Sequence, residues 1–272
     1  MGDRLEACFD RLRAEGRAGL FPFITAGDPD LVFTRELLPL MTEAGADGFE
    51  VGVPFSDPLA DGPTIQRSSM RSLAGGTRLS GVLEMVGEVR ADIPDTPLVL
   101  MTYYNPIIAM GLAEFVRGAS QVGADAVIVP DLPPEEASAL VEIMNDYPLE
   151  PVFMLAPTST QERIELVNDV GGGFIYYVGQ MGVTGARDAL DSDLGATLAR
   201  INRVKNRPVL VGFGIKTPEQ AAEVAGHADG VIVGSALIDV MEAQASRESK
   251  MRAARDYIAS LREGLDRSKT VS

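Results

Sequence analysis

The chain has 272 residues, of which 46% are hydrophobic and 23% are charged, a composition that supports a large folded core and argues against intrinsic disorder. Its 24 basic and 39 acidic residues give a net charge of −15, and only four of the basic residues are lysines, at positions 205, 216, 250 and 269. Because such a charge repels phosphodiester backbones and anionic lipids, we expect no unaided binding to nucleic acid or to a membrane surface.

The single cysteine and the single histidine narrow the possible chemistry further. With only Cys8, internal disulfide bonds and Cys-based metal sites are excluded, and with only His227, serine–histidine catalysis and multi-histidine metal sites are nearly excluded. There is no run of about 18 apolar residues and no apolar signal core near the first residue. We therefore expect a cytoplasmic protein whose chemistry depends on carboxylates, hydroxyls, amides and the backbone.

In chain order, the first predicted element is an amphipathic helix within the first 16 residues. Leu5, Cys8, Phe9 and Leu12 follow the i, i+3, i+4, i+7 spacing of one helical face. This face is expected either to close the open bottom of a barrel or to pack against its outer ring.

Short apolar runs, each succeeded by a helical pattern, make up most of the chain. They are rich in β-branched and aliphatic residues without polar alternation, which is typical of strands buried on both faces of a parallel sheet. The predicted strands are 20–25, 48–53, 98–103, 126–130, 152–156, 174–178, 209–213 and 230–234, and the predicted helices are 31–44, 82–90, 112–122, 135–145, 161–170, 194–205 and 219–225.

This alternation predicts a single domain, residues 1–272, that forms a (β/α)₈ TIM barrel with an extra N-terminal helix. The last segment, 247–267, is expected to be an amphipathic helix that covers the outside of the barrel. A doubly wound sheet is the alternative. It would usually show fewer units and an early G-x-G-x-x-G motif, which this chain lacks.

Three similar segments, 44–48, 122–126 and 226–230, each place a glycine and an aspartate directly before a predicted strand. They are interpreted as tight turns at the N-terminal face of the barrel, where residues usually serve stability. His227 lies in the third of them, so we expect it to have a structural role.

The C-terminal ends of the barrel strands are where catalytic residues are expected. Glu50 interrupts the second apolar run, and an ionisable side chain between buried neighbours costs several kcal/mol unless it is paired or used. The loop that follows, 51–63, contains three prolines and two glycines and carries Asp57 and Asp61. Glu50 is therefore a candidate catalytic group, whereas Asp61 could equally be a turn former.

Glycines at three neighbouring strand ends favour a phosphate site built from backbone N–H groups, because the chain has no basic patch. The segment 179–193 has three glycines and no helical period, which is typical of a lid. Gly214 follows the seventh strand and Gly234 the eighth, and Ser235 is expected to be the N-cap of a short helix.

Residues 49–66 (FEVGVPFSDPLADGPTIQ) closely resemble the signature of the tryptophan synthase alpha chain family. Shorter blocks at 22–29 (PFITAGDP), 131–133 (DLP), 182–185 (GVTG), 212–215 (GFGI) and 234–235 (GS) resemble further family motifs, in the same order along nearly the whole chain. The resemblance implies a TIM-barrel lyase that cleaves indole-3-glycerol phosphate to indole and glyceraldehyde 3-phosphate.

The resemblance also implies a role for individual residues. Glu50 matches the family's general acid/base, and Asp61 matches the carboxylate that binds the indole nitrogen. Substrate-pocket residues are matched by Phe23, Tyr103, Ile128, Tyr176 and Thr184, and the phosphate site by Gly185, Gly214, Gly234 and Ser235.

By the same resemblance the chain needs no cofactor of its own and works in an alpha2–beta2 complex. Pyridoxal phosphate is expected only in the beta chain, which receives the indole. Asp57 and Pro58, on the loop after the second strand, are expected to contact that partner.

Two other functions remain open at this stage. An aldolase that forms a lysine Schiff base would have to use Lys216, which follows Gly214 and Ile215 in a loop. The second alternative is a subunit that has no activity of its own and only stimulates a beta chain. The presence of both Glu50 and Asp61 argues against it.

Overall fold

The computed structural model describes residues 3–179, 194–212 and 214–267. Within these ranges nine strands form one sheet in which every neighbouring pair is parallel. The strands are β1 (Gly19–Thr25), β2 (Phe49–Gly52), β3 (Leu98–Met101), β4 (Ala126–Ile128), β5 (Glu150–Val152), β6 (Met154–Leu155), β7 (Ile175–Val178), β8 (Val209–Gly212) and β9 (Gly230–Val233).

The order of the strands closes the sheet into a barrel. It runs β5-β4-β3-β2-β1-β9-β8-β7-β6, and its two ends, β5 and β6, are separated in the chain by Phe153 alone. These two short strands together occupy the position predicted for one fifth strand. The eight-strand parallel barrel predicted from the sequence is therefore confirmed.

Helices connect the strands, and further helices precede β1 and follow β9. They are α1 (Asp3–Ala14), α2 (Leu31–Glu43), α3 (Pro63–Ala74), α4 (Leu79–Val89), α5 (Tyr104–Met110), α6 (Leu112–Gln121), α7 (Ser138–Met144), α8 (Gln161–Val170), α9 (Leu194–Val204), α10 (Pro218–Ala225), α11 (Ser235–Glu242) and α12 (Arg247–Arg267). None of the helices in the described ranges is both long enough and apolar enough to span a membrane.

Several helix boundaries differ from the prediction. Helices α3 and α5 follow directly on loops and were not expected, and α7 begins at Ser138 rather than at residue 135. Side-chain caps fix other starts: Asp30 accepts a hydrogen bond from the Phe33 N–H, and Thr217 and Gln220 form a capping box on α10.

The barrel strands bury side chains on both faces. Phe49 and Val51 of β2 pack outward into the layer between strands and helices, while Phe23 of β1 and Ile128 of β4 pack into the barrel interior. Neither face meets water, which explains why the apolar runs show no polar alternation.

Helix α1 closes the N-terminal end of the barrel. Leu5 and Phe9 belong to the same apolar cluster as the interior strand residues, and the Phe9 ring lies 5.8 Å from that of Phe21 and 6.2 Å from that of Phe174. Of the two placements considered for this helix, the structure shows the one that plugs the barrel. Helix α12 covers the outside, as predicted, through Ile258 and Leu261.

The three glycine–aspartate turns share a contact that the sequence pattern does not reveal. In each, the aspartate accepts a hydrogen bond from the backbone N–H of the preceding strand: Asp47 from Leu20 (3.0 Å), Asp125 from Leu98 (2.8 Å) and Asp229 from Val209 (2.8 Å). Cationic side chains neutralise these carboxylates: Arg11 and Arg262 pair with Asp47, Arg4 and Arg90 pair with Asp125, and Lys205 pairs with Asp229. The turns therefore stabilise the N-terminal face, and His227 lies in the third of them, as predicted.

If α1 is an integral plug, Phe9→Ala should lower the free energy of unfolding by about 3–5 kcal/mol, because it removes a buried aromatic ring from the barrel interior. Urea unfolding of the variant measures this loss. Arg13→Ala, on the exposed side of the same helix, is the control and should change stability by less than about 0.5 kcal/mol. Equal effects of the two substitutions would show that α1 is only a surface helix.

Candidate active site

Glu50 lies inside the barrel near its C-terminal end. Strand β2 turns Phe49 and Val51 outward, so the side chain of Glu50 points inward, in register with Phe23 of β1 and Val99 of β3. It is 2% exposed, and its Oε2 atom has no hydrogen-bond partner among the described residues. A carboxyl group in this position is strongly desolvated.

Burial raises the pKa of Glu50 to about 8, and the nearby charge of Asp61 adds to the rise. The Tyr176 hydroxyl opposes it by donating a hydrogen bond to the carboxyl group. The net result is a carboxylic acid that keeps its proton at neutral pH, which is the state required of a general acid.

The position of Tyr176 depends on a glycine in the next strand. A Cβ atom on Gly212 would lie 2.3 Å from the Tyr176 hydroxyl oxygen, so only glycine leaves room for this contact. Tyr176, which the family resemblance assigns to the pocket, lies against Glu50. No sequence pattern indicates that Gly212 provides the space.

Asp61 is held over the barrel mouth by Tyr103. The Tyr103 hydroxyl accepts a hydrogen bond from the Ala60 N–H (3.0 Å) and donates one to the Asp61 carboxylate. The Tyr103 ring also stacks on Phe55, with 5.2 Å between ring centroids. Burial raises the pKa of Asp61 to about 6, and the Tyr103 hydrogen bond moderates the rise. Tyr103 is one of the expected pocket residues, but its contact with the Asp61 loop was not predicted.

The space between these groups is lined mainly by apolar side chains. Phe23 and Ile128, both expected in the pocket, lie in the interior cluster with Met101 and Met154. The pocket beside Asp61 is also lined by Thr25. Met101, Met154 and Thr25 were missed. Thr25 and Met101 lie two residues from Phe23 and Tyr103, which is the signal that could have found them, whereas Met154 has no such neighbour.

The predicted phosphate-binding glycines lie at the ends of β8 and β9. Gly214 has φ +77°, a left-handed conformation that favours glycine. Gly234 is the N-cap of α11, and Ser235 is its first helical residue without a side-chain capping bond, so the expectation that Ser235 is the N-cap is wrong. Thr184 and Gly185, like the rest of the expected lid from 180 to 193, lie outside the described residues.

The rim of this face exposes two large apolar side chains. Leu59, on the loop that carries Asp57, Pro58 and Asp61, is 88% exposed, and Ile108 on α5 is 55% exposed. Leu59 directly precedes Ala60, and α5 begins directly after Tyr103, so the Ala60–Tyr103 hydrogen bond brings the two segments together at one edge of the barrel mouth.

The Schiff-base alternative finds no support in the geometry. Lys216 is exposed in the loop before α10. Lys205 pairs with Asp229 at the N-terminal face, and Lys250 donates a hydrogen bond to the Met241 carbonyl. None of these three lysines, which are the ones in the described part of the chain, belongs to the interior cluster.

Comparison with protein families matches residues 9–265 to the tryptophan synthase alpha chain. Among related sequences, the chain is 47% identical over 263 residues to the tryptophan synthase alpha chain of Pelobacter propionicus, covering 97% of this chain and 98% of the relative. It is also 47% identical over 262 residues to that of Geobacter sulfurreducens, covering 96% and 98%.

Solved structures give the same result. The tryptophan synthase subunit alpha from Legionella pneumophila superimposes with a TM-score of 0.88 at 37% identity, covering 97% of this chain and 98% of that one. A chain of tryptophan synthase from M. tuberculosis, in an aminoacrylate-bound form, has a TM-score of 0.85 at 33% identity, with 96% and 99% covered. With the match extending over nearly its whole length, the chain belongs to the tryptophan synthase alpha chain family.

Proposed function

We propose that this chain cleaves indole-3-glycerol phosphate to indole and glyceraldehyde 3-phosphate, with Glu50 as acid and base and Asp61 as the partner of the indole nitrogen. Membership of the tryptophan synthase alpha chain family makes the chain a carbon–carbon lyase. The observation that carries the division of roles is the pair of carboxyl groups at the C-terminal end of the barrel, with Glu50 buried and Asp61 half-buried and bound by Tyr103. Desolvation raises their pKa values to about 8 and about 6.

Glu50 moves the two protons that the cleavage requires. As a carboxylic acid it protonates C3 of the indole ring, which makes the ring an electron sink for the bond to the side chain. The resulting carboxylate takes the proton of the adjacent side-chain hydroxyl as the carbon–carbon bond breaks and the aldehyde forms. Glu50 thus regains its proton, and positioned proton transfer of this kind is worth about 10²–10⁴ in rate.

Asp61 stabilises the charge that forms during this step. Protonation at C3 places positive charge near the ring nitrogen, and an ionised Asp61 that accepts the N–H hydrogen bond stabilises that charge electrostatically. The hydrogen bond from Tyr103 keeps the carboxylate in place before the substrate arrives. Phe23, Ile128 and Tyr176 supply the walls that receive the flat ring.

The phosphate group is assigned to the far side of the barrel mouth. The backbone N–H groups at Gly214, Gly234 and Ser235 would hold it, together with Gly185 of the predicted lid, while Thr184 is assigned to the pocket that receives the ring. Because the N-terminus of α11 carries a partial positive charge, an anion can bind there without a basic side chain. Binding at this end orients the ring toward Glu50.

This scheme assigns no cofactor to the chain, because the carboxyl groups of Glu50 and Asp61 suffice for both proton transfers and charge stabilisation. Pyridoxal phosphate is assigned to a partner beta chain that receives the indole in an alpha2–beta2 complex. The exposed edge formed by Asp57, Pro58, Leu59 and Ile108 is the proposed docking surface for that partner. A cytoplasmic location stays a prediction from composition.

Glu50→Gln should abolish indole formation from indole-3-glycerol phosphate while leaving the affinity for a phosphate ligand nearly unchanged. Asp61→Asn should lower turnover by about 10²–10³, the usual effect of losing one charge-stabilising group.

For the wild-type chain, kcat/KM should rise as Asp61 ionises around pH 6 and fall as Glu50 loses its proton around pH 8. Steady-state indole release across pH measures all three.

The control is Asp57→Asn, which removes an exposed carboxylate from the same loop and should leave the lone chain's turnover within about twofold. Wild-type turnover by Glu50→Gln would contradict its acid/base role. A low-pH limb that survives in Asp61→Asn would show that another group produces it.

Addition of a tryptophan synthase beta chain should raise the cleavage rate of the lone chain. Leu59→Asp should weaken beta-chain affinity by about 10- to 100-fold, since it places a charge in the proposed interface, without lowering the rate of the lone chain. A titration of cleavage rate against beta-chain concentration gives both values. Met70→Asp, an equally drastic change at another exposed apolar side chain, should leave the titration unchanged. If both variants respond to the beta chain like the wild type, the interface lies elsewhere.

A further inference from the structure

Arg71 connects three elements on the active face of the barrel. From α3, its Nε and Nη2 atoms donate to the two carboxylate oxygens of Asp28 at 2.9 and 2.6 Å, and its Nη1 atom donates to Glu242 at 2.9 Å. Asp28 lies in the loop after β1, and Glu242 is the last residue of α11. One guanidinium group therefore joins the β1–α2 loop, α3 and α11.

The β1–α2 loop is bound tightly to α3 by further contacts. The Ser68 hydroxyl donates to Asp28 at 2.6 Å, and the Ser72 hydroxyl donates to the Ala26 carbonyl at 2.6 Å. Gly27 has φ +81°, and a Cβ atom there would lie 2.6 Å from the Ser72 oxygen. This loop and α3 are packed so closely that we treat them as one rigid unit.

Helices α3 and α11, which Arg71 joins, begin at the two ends of the proposed substrate site. Helix α3 starts at Pro63, two residues after Asp61, and α11 starts at Ser235, next to Gly234. Helix α11 has only eight residues and is a short, rigid rod. Because Arg71 binds Glu242 at its C-terminal end, it also fixes the orientation of the N-terminal end. The position of α11 relative to α3 thus determines the distance from the Asp61 loop to the phosphate cradle.

We propose that Arg71 is a positioning residue that holds the Asp61 loop and the phosphate cradle at the separation of one substrate molecule. The inference rests on the proposed function, because it requires a substrate that binds at both places at once. Proton transfer at Glu50 needs the ring and the phosphate fixed together, and a displacement of about 1 Å can reduce rates by about 10²-fold.

The side-chain exposures indicate an effect on position rather than on stability. Arg71 is 38% exposed and Glu242 36%, whereas Asp28 is 12% exposed. Ion pairs with this much solvent contact add little to the free energy of folding. The forked contact with Asp28 nevertheless fixes the plane of the guanidinium group, a geometry that lysine cannot reproduce.

The test separates binding of the whole substrate from binding of its two halves. For Arg71→Gln, kcat/KM for indole-3-glycerol phosphate should fall about 10- to 100-fold, mainly in kcat, because the two ends are no longer aligned. The dissociation constants of indole alone and of glycerol 3-phosphate alone, measured by calorimetry, should stay within about twofold, because each end remains intact. Arg71→Lys should recover only part of the loss.

Matched controls are available on the same surfaces. Arg267→Gln removes a cation from the exposed pair with Glu263 and should retain kcat/KM within about twofold. Arg67→Gln removes a second cation that joins α3 to Glu242 but does not reach Asp28, so its loss of kcat/KM should be smaller than that of Arg71→Gln. If Arg71→Gln fails to fold, Glu242→Ala removes the carboxylate on α11 that both Arg71 and Arg67 bind, and it should give the same pattern, with Glu263→Ala as its control.

Two results would overturn the proposal: equal losses in Arg67→Gln and Arg71→Gln, or fragment affinities that fall as far as turnover does. Either would show general damage rather than lost alignment. Absence of cleavage by the wild-type chain, with or without a beta chain, would instead reject the proposed function. The two failures are therefore distinguishable.

Discussion

The burial of one carboxyl group inside the barrel is the constraint on which the proposed chemistry depends. Ionised Glu50 would be a charge among apolar side chains, with one oxygen lacking a partner among the described residues, so the fold stabilises its protonated form. A carboxyl group that stays protonated at neutral pH can act as an acid toward a carbon atom. The hydrogen bond from Tyr176 and the space left by Gly212 then determine where that proton is held.

The two ends of the barrel have different tasks. At the N-terminal end, α1 fills the opening, and buried aspartates such as Asp125 bind strand N–H groups while arginines neutralise them. These contacts leave little freedom in the strands. At the other end, short loops hold Asp61 and Tyr103 over the opening. A rigid base of this kind allows the distance between reactive groups at the mouth to be set by a few side chains, Arg71 among them.

Much of the fold followed from local patterns, because strands buried on both faces give apolar runs and the helices between them show a regular period. Glu50 was found because it breaks such a run, and local rules tend to be broken at functional sites. The start of α3 was missed, since Pro63 and the serine-rich stretch after it look like a continued loop. Tyr103 contacts Ala60, and Arg71 contacts Asp28, in each case 43 positions away along the chain. No local sequence pattern encodes contacts over such a separation. The single-domain division stays a prediction.

The protonation state of Glu50 is the most direct test of this account. Infrared difference spectra between the wild-type chain and Glu50→Gln, recorded across pH in ²H₂O, isolate the carboxyl band of this residue. The account predicts a protonated carboxyl band at pH 7 that disappears with a midpoint near pH 8. A carboxylate already formed at pH 6 would contradict it, because Glu50 would then have no proton to give to the ring.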